Sequence, residues 1–164
     1  MGQDADVIDR MIADWQRVRP DLDPSPLAVV GRVIVLARHL EQSVEAVLKP
    51  HGLTLGQFDI LATLRRREPH GGLNPTQLCE NVALTSGGMT SRLDKLEAAK
   101  LIERQPDPTD RRGVVVVLTA KGRKLIDAAT RTRFEEAADS MPTLSAAEVG
   151  RLEESLRKWL AAYS

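Results

Sequence analysis

Apolar residues recur along most of this chain at three- and four-residue intervals, the period of helices with one buried face. Val7, Met11, Trp15 and Val18 mark a first amphipathic helix over residues 4–18. Pro20, Pro24 and Pro26 end it and form an extended connector. A long helix from Leu27 to Leu48 carries Val33, Leu36, Leu40, Val44 and Val47 on one stripe. Val29, Val30 and Val35 widen that stripe beyond one face, as a helix with two partners requires.

Local end signals divide the rest. Pro50 and Gly52 stop the long helix, and Thr54 with Gln57 reads as a capping box for the next, which turns Phe58, Leu61, Ala62 and Leu64 inward. Arg65, Arg66 and Arg67 suit its C-terminal end. Asn74-Pro75 reads as an N-cap and first-turn proline for a short helix ending near Val82. Thr85 or Ser86 then caps a helix to about Ala99 with Met89, Leu93 and Leu96 facing in. Gly87 and Gly88 in its first turn each cost about 1 kcal/mol of helix propensity, which points to a close backbone approach. Ile102–Gln105 and Val114–Leu118 have strand composition, and the polar stretch 106–113 between them makes a β-hairpin. Thr119 caps a helix reaching about Ser140, and Ser145 with Glu148 opens a last one through Leu152, Leu156, Trp159 and Leu160.

The predicted fold is mainly α with a small β-hairpin wing. Two short helices across a tight turn followed by an arginine-tipped hairpin form a winged helix-turn-helix at about residues 53–118. One domain is expected over residues 27–164, preceded by an extra helix and proline-rich connector over 1–26.

The order of elements points to double-stranded DNA. The major groove admits one helix and displays distinguishable base edges. Ser86, Gly87, Thr90, Ser91 and Lys95 on the second helix are small, hydroxylic or cationic, and Arg111 and Arg112 at the hairpin tip suit phosphates or a narrow minor groove. The formal net charge of zero does not oppose this. Residues 85–124 hold nine basic and five acidic side chains, a local excess of four positive charges on an otherwise acidic chain.

Other chemistries find little support. There is no phosphate-cradling glycine loop, nucleophile elbow or paired catalytic motif, so no enzyme and no cofactor are expected. His39, His51 and His70 lack metal-ligand spacing, and no metal is expected. The single cysteine, Cys79, cannot form an internal disulfide and reads as a buried thiol. With no secretory or membrane-spanning stretch, the expected location is the cytoplasm. The rival from another class is a winged-helix protein-interaction module; the small polar residues of the second helix oppose it, because protein interfaces favour aromatic anchors.

The chain resembles the MarR family in residues 87–97 (GGMTSRLDKLE), 101–104 (LIER), 107–112 (DPTDRR) and 118–122 (LTAKG). The resemblance extends from Leu27 to Leu160 and implies a homodimer built on helices at about 27–49 and 119–164. Its two recognition helices would meet a pseudo-palindromic operator about one DNA turn apart. It further implies a repressor that releases DNA when a small anionic ligand binds. The extra helix with Trp15 is similar to the urate-responsive subgroup, which pairs such a tryptophan with an acid and two arginines; Asp59, Arg92 and Arg104 occupy the matching contexts. An indole stacks on a purine and an arginine pairs with its oxygens. A salicylate-like phenolic ligand is the alternative.

Overall fold

The computed structural model describes residues 5–68, 71–82, 88–107 and 113–163. Its elements run α1 (Val7–Val18), α2 (Leu27–Leu48), α3 (Leu55–Arg67), α4 (Pro75–Asn81), α5 (Met89–Ala98), β1 (Ile102–Pro106), β2 (Val114–Leu118), α6 (Ala120–Asp139) and α7 (Ala146–Leu160). Short 3-10 turns follow α2 and α7.

The helix starts obey local chemistry. Asp6, Thr54, Asn74 and Ser145 each accept from the backbone N–H three residues on, and the side chain at that position returns the bond. These capping boxes satisfy donors that a helix start leaves unpaired. Asp6 caps α1 two residues beyond the predicted start. The start of α5 also differs from expectation. Gly88 is its N-cap, at φ 87°, a left-handed conformation that glycine adopts without strain. Gly88 therefore carries no mid-helix penalty; its role is to turn the chain into α5. Thr85, Ser86 and Gly87 lie outside the described residues.

The core gathers where α3 meets its neighbours. Leu48 of α2, Ile60 and Leu61 of α3, Leu78 of α4, Leu93 and Leu96 of α5, Ile102 and Val116 of the hairpin, and Ile126 of α6 are essentially inaccessible. β1 and β2 pair antiparallel from Ile102 opposite Leu118 to Pro106 opposite Val114. Leu73 adds a bridge that the sequence pattern did not reveal, exchanging bonds of 3.2 and 2.8 Å with Val116. It anchors the residue before the cap of α4 onto the hairpin. Gly122 brings α6 against the other end: a Cβ there would lie 1.9 Å from the carbonyl oxygen of Leu101.

The outer helices bury much less. On α2 only Gly31, Val44 and Leu48 are buried, while Val29, Val30, Ile34, Leu36 and Leu40 are exposed. No residue of α7 is buried, and Leu152, Leu156 and Leu160 lie open. The apolar stripes read from the sequence therefore exist, but apart from Val44 this single chain leaves them partly or wholly exposed. α1 is held on α2 by buried Ile8 and by Arg32, which donates to Asp6 at 2.8 Å and Asp9 at 2.7 Å. Among the described residues, no helix is long and apolar enough to cross a membrane.

Candidate DNA-binding face and ligand cavity

α5 divides cleanly along its axis. Met89, Leu93 and Leu96 are buried against the core, whereas Thr90, Ser91 and Lys95 are exposed. The inward positions recur at helical spacing, so the hydrophobic contact fixes which side chains face outward. The outward side presents two hydroxyls and one ammonium, chemistry suited to base edges and phosphates, together with the carboxylate of Asp94. Ser86, Gly87, Arg111 and Arg112, also expected to meet DNA, lie outside the described residues.

The hairpin is braced to that helix by one arginine. Arg104 of β1 donates to Asp94 of α5 at 2.7 Å and pairs with Glu97 one turn further on. Its backbone N–H also donates to Glu97 at 3.2 Å. Both carboxylates hold the guanidinium in its charged form, the Asp94 hydrogen bond contributing most. Arg92 is half-buried near the start of the same helix, its Nη1 within 3.7 Å of where a Cβ on Gly88 would lie.

A cavity of about 410 Å³ opens between α3 and α6. Phe58, Asp59 and Arg66 line it from α3; Thr130, Arg133 and Phe134 line it from α6. Asp59 is half-buried, and loss of hydration raises its pKa above the ordinary carboxylate value, against the opposing pull of Arg66 and Arg133. Trp15 lies elsewhere: it is exposed and lines a separate, mostly apolar cavity with Arg19, Leu22, Pro24 and Pro26. Of the four residues expected to hold a ligand, only Asp59 lines the α3–α6 cavity.

Arg66 and Arg133 are among the cavity residues that the sequence did not single out. Arg66 belongs to a run of three arginines that reads as ordinary helix-end charge. Arg133 lies 74 positions from Asp59, with no local spacing to connect them. Elsewhere, Cys79 packs partly buried against the core, and His51 shares a 3.1 Å hydrogen bond with Thr132.

The MarR family model matches residues 51–113. The chain is 33% identical over 153 residues to the HTH-type transcriptional regulator PecS of Dickeya dadantii, spanning 89% of this chain and 92% of that protein. This protein belongs to the MarR family. The MarR-family fold is equally plain in three dimensions. The chain matches S. aureus MepR in its DNA complex with a TM-score of 0.74 and 25% identity, over 82% of this chain and 97% of that one. It matches a Mycobacterium tuberculosis MarR-family protein in complex with p-aminosalicylic acid with a TM-score of 0.61 and 27% identity, over 80% and 97% of the two chains. The architecture is a mainly helical winged helix-turn-helix, and the protein is a DNA-binding transcriptional regulator.

Proposed function

We propose that this MarR-family regulator is a repressor that binds a pseudo-palindromic operator as a homodimer and lets go of it when a small planar anion such as urate enters the protein. The observation that carries the DNA half is the split of α5, with Met89, Leu93 and Leu96 inward and Thr90, Ser91 and Lys95 outward. The bare apolar faces of α2 and α7 support the homodimer, since apolar surface of this extent on a soluble domain is normally covered by a partner. In this reading residues 27–164 form the regulatory unit and residues 1–26 add a helix to it.

The α3–α6 cavity supports ligand release. Its residues lie on the long helix α6 and on α3, which packs directly against both helices of the helix-turn-helix. A ligand favouring one arrangement of these helices shifts the population that fits DNA. A salicylate-like ligand is the second reading, favoured by the p-aminosalicylic acid bound to the M. tuberculosis relative.

The test is fluorescence anisotropy on DNA from upstream of the protein's own gene, across a salt series, with and without urate and salicylate. Operator binding should weaken steeply with salt, as counterion release demands, and one of the two compounds should release it. Binding insensitive to salt would instead indicate a protein-interaction module. Tight operator binding unaffected by either compound at millimolar concentration would remove the ligand half alone.

A further inference from the structure

The cavity between α3 and α6 contains three arginines, and their commitments differ. Arg65 is occupied on both arms, donating to Asp127 at 2.8 Å and to Glu68 at 3.0 Å. Arg66 donates to the hydroxyl of Thr63 at 2.9 Å and, among the described residues, has no carboxylate within ion-pair distance. Arg133 uses Nη1 on Glu136 at 2.8 Å. Glu136 is itself buried and further satisfied by the hydroxyl of Ser140 at 2.6 Å.

Asp59 lies within the electrostatic reach of both Arg66 and Arg133, yet no hydrogen bond joins it to either among the described residues. Asp127 also lines the cavity but is paired with Arg65, and Thr130 adds a hydroxyl. The charged groups of the lining that act on one another only through space are thus the Asp59 carboxyl and the guanidiniums of Arg66 and Arg133. The remaining walls are aromatic and aliphatic: Phe58 from the core side, and Phe134, 70% exposed, at the rim. A guanidinium presents a planar fork of donors that matches a carboxylate or an anionic oxo group. A carboxylate only accepts, so anything placed against Asp59 must bring a donor.

We propose that Arg66 and Arg133 read the negative charge of this cavity's ligand, and that Asp59 selects an anion with an O–H or N–H donor beside that charge. The inference rests on the ligand-release reading above and goes further, because it assigns the charge recognition to residues outside the set the sequence suggested. Arg104 is absorbed by Asp94 and Glu97, and Trp15 lines another cavity. The ligand class is a small planar ring against Phe58 and Phe134 with an anion and a donor on adjacent atoms. Salicylate and urate both meet this description. Benzoate lacks the donor and salicylamide lacks the charge.

Isothermal titration calorimetry of the full chain with these four compounds decides it. Salicylate or urate should bind about tenfold or more tightly than benzoate and salicylamide, because a site built for a polar group rejects the analogue that leaves it unpaired. R66Q and R133Q should each weaken binding by about tenfold or more, the usual scale for a lost charged hydrogen bond. R133K should recover part of the loss, while R104Q and W15F should stay within about twofold of wild type, as residues without direct contact do. R66Q alters only an exposed side chain, so it reads the pocket even if R133Q is poorly folded. D59N should narrow the gap between salicylate and benzoate. Wild-type affinity in R66Q and R133Q, or benzoate binding as tightly as the better of salicylate and urate, would overturn the inference and leave ligand release standing. If none of the four compounds bound the wild type, both readings would fall together.

Discussion

Arg104 of β1 donates to Asp94 of α5 at 2.7 Å, tying the hairpin to the helix that presents Thr90, Ser91 and Lys95. Glu97 completes the clamp. The pairs are partly exposed, so their share of global stability is small, about 0–1 kcal/mol each. Their effect is orientation. R104Q should leave the melting temperature within a few degrees of wild type while weakening operator binding several-fold. A large thermal loss with unchanged DNA affinity would mean that the clamp serves stability alone.

Lys95 is exposed on the polar face of α5. If its ammonium meets a phosphate, K95A weakens operator and random DNA alike and lowers the slope of log affinity against log salt by about one. Thr90→Ala and Ser91→Ala should instead narrow the gap between operator and random sequence. Anisotropy titrations on both DNAs separate these outcomes.

Gly122 is a packing requirement. The methyl group of G122A would fall 1.9 Å from the Leu101 carbonyl oxygen and 2.8 Å from its carbon. Neither atom can rotate away, because backbone is met rather than a flexible side chain. The carbonyl is also held by the N–H of Thr119 at 3.1 Å and its hydroxyl at 3.2 Å. The substitution should destabilise by about 1–3 kcal/mol, the range for overpacked sites. Chemical denaturation would read it, and G150A, at an open position on α7, is the control.

The Asp59 carboxyl has a raised pKa because burial disfavours its charge more than Arg66 and Arg133 favour it. Between the ordinary carboxylate value and the raised one, the folded chain holds a proton that the unfolded chain has released. Stability at this site therefore falls as pH rises through that window and stays lowered above it. D59N removes the charge, so it should raise the melting temperature at neutral pH. The advantage should shrink towards acid pH as Asp59 itself becomes protonated. Thermal melts of both proteins across an acid-to-neutral series test the sign.

Leu156 of α7 lines an apolar cavity with Val33 of α2 and Trp159, and it is 45% exposed in the single chain. L156E would place a charge on this face. If the face is covered in a homodimer, the variant should shift towards monomer in light scattering and lose operator affinity, with little change in helical content. An unchanged oligomeric state would place the dimer contact elsewhere.

Much of this protein was readable from short-range pattern. The caps at Thr54, Asn74, Thr119 and Ser145 depend on a side chain and a backbone N–H three residues away, so spacing alone reveals them. The inward set of α5 follows from helical periodicity, and its outward set from the remainder. The order of two short helices and a hairpin pointed to DNA for the same reason: each element's signal is local.

Tertiary structure decided what depends on residues far apart in the chain. That Gly122 meets Leu101, that Leu73 extends the hairpin through Val116, and that Arg104 faces α5 are consequences of packing. The α3–α6 cavity shows the division best. Asp59 stood out through the family resemblance, but Arg66 looked like helix-end charge and no local pattern marked Arg133. Arg66 shares α3 with Asp59, two turns away. Only the packing of α6 on α3 brings Arg133 within reach and removes water from the carboxyl, because electrostatic coupling follows distance in space and desolvation.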